Sequence, residues 1–119
     1  MAITGVHILL YTSEADALRA AFRDVFGWKH VDAGDGWLIF ALPPAELGVH
    51  PADESGPQHQ FSLMCDNVGR TSAELRAKGI TVKGSPEDRG WGIVVTLVLP
   101  GGVEILLYEP RHPVAIRLT

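Results

Sequence analysis

The sequence contains one cysteine, no long apolar run and no surplus of basic residues. Cys65 cannot form an internal disulfide, which fits a reducing cytoplasm, and no histidine lies at a metal-ligand or nucleophile spacing from it. No apolar run approaches the roughly 20 residues of a membrane helix, and no signal peptide is visible in the first twenty residues. Lys and Arg number 10 against 14 Asp and Glu, for a net charge of −4. We therefore expect a cytoplasmic protein that binds neither nucleic acid nor membranes.

What the sequence does contain is enough apolar material for a real core. Hydrophobic residues make up 46% of the 119 positions and charged residues 20%, which is typical of one compact domain. The chain has no glycine-rich phosphate loop, no Ser-His-Asp order and no CxxC motif. No common catalytic motif therefore identifies a reaction.

The first half of the chain predicts the order strand, helix, strand, strand, strand. Residues 3–11 are rich in branched and aromatic side chains and predict a strand. Ser13 is expected to cap a helix that Gly27 ends, because glycine adopts the left-handed backbone readily. The strands that follow are predicted at 28–31, 37–42 and 46–50.

The second half predicts the same order after a polar linker rich in proline and glycine. A strand is expected at 59–65, and Asp66 or Asn67 is expected to cap a helix that runs to about Lys78 before Gly79. Residues 84–90 are expected to form a loop. The other strands are predicted at 80–83, 91–99 and 103–108.

Glycine residues and Gly-Trp pairs recur at matching places in the two halves, which indicates an internal repeat. Gly27 and Gly79 both end predicted helices, and the pairs Gly36-Trp37 and Gly90-Trp91 both open predicted strands. We therefore predict an α+β fold of two tandem βαβββ modules, whose curved mixed sheet surrounds a pocket and carries helices on its convex face. The expected boundaries are 1–51 for the first module, 52–58 for the linker, 59–110 for the second module and 111–119 for the tail, all within one compact domain.

Three segments resemble the vicinal oxygen chelate superfamily, the fold of glyoxalases, bleomycin-resistance proteins and extradiol dioxygenases. They are VHILLYTSEADALRAAFRDVFGW, FSLMCDNVGRTSAELRAKGI and LVLPGGVEILLYEPRHP, and together they span nearly the whole chain. The resemblance implies a pocket for a small molecule. In the family's metal enzymes, one divalent ion is held there by the first and last strand of each module.

The resemblance places the four metal-ligand positions on His7, Gly48, Gln60 and Leu106. Gly48 and Leu106 offer no side-chain donor, so the quartet is broken and we expect no cofactor. A divalent metal remains possible at a relocated site of His7, His50 and Glu104.

Strand alternation extends the candidate pocket beyond these positions. Tryptophan at the lip would stack on a planar ligand, although the same residues could simply fill core volume. His7 could equally be a buried histidine that a neighbour satisfies. His59, His112 and His30 are expected at the surface, and Glu109 at the surface or in a dimer contact. The expected pocket residues are His7, Glu46, His50, Gln60, Trp91, Glu104, Leu106 and Tyr108.

Three functions remain open at this point. The first is a metal-independent protein that binds a small, aromatic or oxygen-rich molecule. The second is a glyoxalase-like lyase or an extradiol-type dioxygenase that uses a relocated metal or a general base. The third is a dimerisation module without a ligand. In each case we expect a homodimer, since members of the resembled family often pair.

Overall fold

The computed structural model describes residues 6–118, which form two helices and six strands. The α+β class predicted from the sequence is confirmed. Neither helix of the described chain is long and apolar enough to cross a membrane. The helices are α1 (Ala15–Asp24) and α2 (Val68–Ala77), and the strands are β1 (His30–Asp32), β2 (Leu38–Phe40), β3 (Ser62–Met64), β4 (Thr81–Asp88), β5 (Gly92–Leu99) and β6 (Val103–Pro110).

The second half of the chain forms a four-stranded mixed sheet in the order β3-β6-β5-β4. β3 and β6 run parallel, and the other neighbours are antiparallel. The turn at 100–102 sets the register, so that Leu99 pairs with Val103. The predicted loop at 84–90 was wrong in its first part, because β4 continues to Asp88 after a bulge. Pro86 is tolerated there since β4 is an edge strand.

The first half of the described chain forms one helix and a two-stranded antiparallel hairpin, β1 with β2. The strands predicted at 3–11 and 46–50 are not formed over the described residues: 6–11 and 46–50 lie outside any strand, and 1–5 lie outside the described residues. Sequence pattern supplies strand propensity, but a strand also needs a neighbour to pair with. Leu47 and Val49 lie in this unpaired segment, and their side chains are 91% and 90% exposed.

The core lies between the two helices and one face of the four-stranded sheet. Both helices contribute apolar stripes, and β5 and β6 contribute every second residue, as a sheet covered on one face requires. The buried cluster consists of Leu18, Phe22, Val68, Leu75, Ile80, Val95, Leu97, Leu99, Ile105 and Leu107.

The N-terminus of α2 is closed by two side chains. The Asn67 side chain accepts a hydrogen bond from the Arg70 N–H at 3.0 Å, as predicted for one of the two candidate caps. Glu109 Oε1 accepts another from the Val68 N–H at 3.1 Å. Glu109 was expected at the surface or in a dimer contact, but it reaches back from the end of β6 to this helix, where a carboxylate is favoured.

The N-terminus of α1 differs from the expectation. Its N-cap is Glu14 rather than Ser13, and no side chain bonds to the first turn of the helix. Glu14 N–H instead donates to Thr12 Oγ1 at 3.2 Å. Both helices end where expected, since Gly27 and Gly79 have φ of 70° and 91°, which favours glycine.

Candidate functional site

The face of the four-stranded sheet that points away from the helices carries the candidate site. Because side chains alternate between the two faces of a strand, this side carries the residues that do not point into the core. In the antiparallel register Leu106 lies beside Thr96, and Tyr108 lies beside Val94. We call this side the open face, defined by Thr96, Glu104, Leu106 and Tyr108.

A cavity of about 370 Å³ lies at the end of the open face near the turn at 100–102. That volume falls within the usual range of small-ligand pockets, roughly 300–1,000 Å³. Three predicted pocket residues, Gln60, Glu104 and Leu106, contribute to its wall. The full lining is Leu10, His59, Gln60, Phe61, Thr96, Val103, Glu104, Ile105 and Leu106.

Six of the nine lining residues were not among the predicted pocket residues: Leu10, His59, Phe61, Thr96, Val103 and Ile105. Thr96 follows from the register, because counting back from the turn at 100–102 places it opposite Leu106. His59 was expected at the surface; it is exposed, but it also borders the cavity. No sequence signal shows whether an exposed residue that precedes a strand also borders a cavity.

The charge at the cavity is already balanced. Glu104 Oε1 on β6 lies 3.0 Å from Nζ of Lys83 on the edge strand β4. Both side chains are about half exposed, so the pair contributes little to stability. The pair places an opposite charge beside the Glu104 carboxylate.

Aromatic side chains line the opposite end of the open face. The rings of Trp91 and Tyr108 meet edge to face, with centroids 5.2 Å apart and planes at 77°. Gly92 permits this arrangement, since a Cβ there would lie 3.0 Å from a Tyr108 ring carbon and 3.1 Å from the Glu109 carbonyl. Trp91 stays 43% exposed, so one side of this aromatic pair remains available for contact.

Tyr108 also belongs to a polar cluster that includes Glu46 and His112. His112 Nδ1 lies 2.7 Å from the Pro113 carbonyl and must donate to it. Nε2 therefore accepts from the Tyr108 hydroxyl at 3.2 Å in the neutral imidazole. Glu46 Oε2 accepts from the Ala115 N–H at 2.7 Å, and Glu46 Oε1 lies 3.9 Å from His112 Nε2.

This cluster brings together three predicted residues and one that was placed elsewhere. Glu46, Trp91 and Tyr108 lie at the same end of the open face, although Glu46 arrives from an irregular segment rather than from the predicted strand. His112 was expected to be exposed outside any cluster. It lies four residues beyond Tyr108 in the C-terminal segment, whose course follows from no local pattern.

Two groups near the site have altered acidity. Burial, and secondarily the charge of Glu46, raise the pKa of Tyr108, so its phenol remains a neutral hydrogen-bonding group. Burial also raises the pKa of Cys65, whose thiol lies behind the sheet and donates to the Tyr108 carbonyl at 3.6 Å. A protonated, half-buried thiol is a structural residue rather than a nucleophile, as expected.

The candidate metal ligands are not brought together. His7 and His50 are exposed, and His50 Nδ1 lies 2.8 Å from the Pro51 carbonyl. Within residues 6–118 no group of three or more His, Cys, Asp or Glu side chains could hold a metal ion. The relocated set of His7, His50 and Glu104 is therefore not assembled in this structure. The family quartet does not fit either, because Gly48 offers no donor and Leu106 lines the cavity.

Fold and site together define a small α+β protein with a ligand-sized cavity on the uncovered face of its sheet. Residues 5–107 match the family model of the Glyoxalase/Bleomycin resistance protein/Dioxygenase superfamily, so the chain belongs to that superfamily. The resemblance inferred from the sequence is thereby confirmed. No curated protein matches the chain.

Several solved structures share the fold. The antibiotic binding protein TnmS3 from Streptomyces sp. CB03234 is 24% identical with a TM-score of 0.66, over 92% of this chain and 98% of its own. Lactoylglutathione lyase from Agrobacterium tumefaciens is 22% identical with a TM-score of 0.63, over 90% and 94%. A superfamily member from Sphaerobacter thermophilus DSM 20745 is 21% identical with a TM-score of 0.60, over 90% and 98%. Identities this low show the fold alone.

Proposed function

We propose that this protein binds a small aromatic molecule on the open face, without chemical change and without a metal ion. The observation that supports this most strongly is the cavity wall itself. Leu106 and Gln60 line the cavity at positions where the family's metal enzymes would carry ligands. One structural neighbour, TnmS3, is itself an antibiotic binding protein.

The lining suits a planar ligand with a few polar groups. Phe61, Ile105 and Leu106 supply apolar surface, while the Gln60 amide and the Thr96 hydroxyl supply hydrogen-bonding groups. At the other end of the face, Trp91 offers an exposed ring against which a flat molecule can pack. A ligand that spans both ends would use the cavity for its apolar part and the aromatic pair for stacking.

The donor chemistry supports a role without a metal. A catalytic divalent cation needs typically three or more protein donors. Of the four family positions, only His7 carries a good ligand and Gln60 a weak one. The lyase and dioxygenase alternatives lack an assembled ligand set within the described residues. An enzyme that uses Glu46 as a general base stays the alternative.

Calorimetric titration of the chelator-treated protein with 2-(1-naphthyl)ethanol tests the proposal, with tryptophan variants as a matched pair. Trp91→Ala is expected to weaken binding by about tenfold, the equivalent of about 1.4 kcal/mol, because the ligand loses its stacking surface. Trp37→Ala is the control, since Trp37 is 58% exposed, lies just before β2 and packs under Arg19 of α1, outside the open face. Equal losses in both variants, or binding only after a metal is added, would contradict the proposal.

We further propose that the protein is a homodimer. Extended apolar segments of the first half have no strand partner within the described chain, and such surface usually marks an interface. The most exposed apolar side chains there are Val6, Tyr11, Leu47 and Val49. The cytoplasmic location stays a prediction, which cell fractionation tests.

A further inference from the structure

The carboxylate of Glu46 lies beside His112 and Tyr108, at the aromatic end of the open face. Its side chain is only 15% exposed, and its nearest ionisable neighbour is the His112 imidazole, whose Nε2 lies 3.9 Å from Oε1. Within residues 6–118 no lysine or arginine lies within 4.0 Å of it. Glutamate side chains with so little exposure usually have a lysine or arginine partner, and Glu46 has none among these residues.

The two oxygens of Glu46 are used differently. Oε2 accepts the Ala115 N–H at 2.7 Å, whereas Oε1 has only His112 Nε2 at 3.9 Å, too far for a hydrogen bond. Among the described residues no fully buried polar side-chain atom is without a partner. Oε1 must therefore reach solvent, and it presents an unused acceptor to whatever enters the site.

Two basic side chains on the surrounding elements already pair with other carboxylates. Arg111, at the start of the same C-terminal segment, pairs with Glu109 at 3.5 Å, and Lys83, at the cavity end of the open face, pairs with Glu104 at 3.0 Å. The net charge of −4 adds a field that favours cations. The surroundings of Glu46 therefore attract positive charge and repel negative charge.

The aromatic pair strengthens the same preference. Tyr108 links Glu46 to Trp91, since the Glu46 charge acts on Tyr108 and the two rings meet edge to face at 5.2 Å. The faces of tryptophan and tyrosine rings attract cations, with the largest effect where water is excluded. A carboxylate near Tyr108, whose ring contacts Trp91, matches an ammonium group carried on an aromatic skeleton.

We propose that the ligand of the open face is an organic cation, an aromatic molecule with a protonated amine whose N–H donates to Glu46 Oε1. This inference rests on the proposed function and adds the chemical class of the ligand. Charge-assisted hydrogen bonds are roughly twice as strong as neutral ones, so Glu46 would set specificity by charge. The aromatic skeleton would pack on Trp91 and extend towards the cavity.

Three probes with one ring system test this by calorimetry: 2-(1-naphthyl)ethylamine as the cation, 2-(1-naphthyl)ethanol as the neutral compound and 1-naphthylacetate as the anion. The wild-type protein is expected to bind the amine at least about tenfold more tightly than the alcohol, and the anion most weakly. Glu46→Gln keeps an oxygen for the Ala115 N–H but removes the charge. It should bind amine and alcohol within about threefold of each other.

Glu74→Gln is the matched control, because it removes the same charge from an exposed residue of α2, on the other side of the sheet. This variant should keep the wild-type preference for the amine. Thermal unfolding of both variants verifies that each folds. If the probes bind without a charge preference, or if the preference survives in Glu46→Gln, the inference fails while the proposed function stands. If none of the three probes binds, the proposed function itself fails.

Discussion

Tyr108 connects most of the contacts at the aromatic end of the open face. Its ring packs over Gly92 and against Trp91, and its hydroxyl donates to His112 at 3.2 Å. Its backbone carbonyl accepts from the Cys65 N–H at 2.9 Å. A single residue therefore joins the sheet, the lip and the C-terminal segment.

The ionisation of Tyr108 gives a prediction at this scale. Burial and the Glu46 charge raise its pKa above the ordinary value of 10.0, so absorbance titration should show a phenol that ionises late. Tyr108→Phe should abolish this late transition and Tyr11→Phe should preserve it. Glu46→Gln should shift it to lower pH, because the repelling charge is gone.

The raised pKa of Tyr108 also makes the free energy of unfolding depend on pH in alkaline solution. A raised pKa favours the protonated folded state, so its contribution is complete below the unfolded value near 10 and is lost as pH rises through the folded value. The free energy of unfolding of wild type should therefore fall more steeply above pH 10 than that of Tyr108→Phe. Parallel curves for the two proteins would contradict this assignment.

At the scale of elements, the two helix N-termini offer a direct comparison. The Asn67 side chain bonds to the Arg70 N–H, whereas no side chain caps α1. Asn67→Ala should lower the free energy of unfolding by about 1 kcal/mol, and Asn67→Ser should restore most of it. Ser13→Ala should change it by less than about 0.5 kcal/mol. Chemical denaturation measures all three, and an equal cost for Ser13→Ala would show that Ser13 caps its helix after all.

The elements that could be predicted from the sequence are those with local signals. Asn67, Gly79 and the turn at 100–102 fix α2 and the β5–β6 hairpin within a few residues, and the hairpin register then places Leu106 beside Thr96. The strands expected at 3–11 and 46–50 carry the right pattern, but pairing depends on distant partners that the pattern does not specify. His112 reaches Glu46 and Tyr108 for the same non-local reason.

At the scale of the whole molecule, the unpaired apolar segments predict association. The double variant Leu47→Asp/Val49→Asp is expected to shift the particle from twice the chain mass of 12.9 kDa to a single chain, because charges would be buried in the interface. Val31→Asp is the control, since Val31 is 65% exposed but lies in the paired strand β1. Light scattering measures the mass, and a monomeric wild type would contradict the dimer.

The account as a whole depends on ligand binding by a face that lacks the metal set of its superfamily. The most direct measurement combines metal analysis of the purified protein with calorimetric titration of 2-(1-naphthyl)ethylamine, in chelator and after addition of Zn²⁺, Mn²⁺ or Ni²⁺. The account predicts substoichiometric metal and the same affinity in every condition, with one ligand per chain. A stoichiometric metal whose removal abolishes binding, and which is lost in His7→Ala, would contradict it.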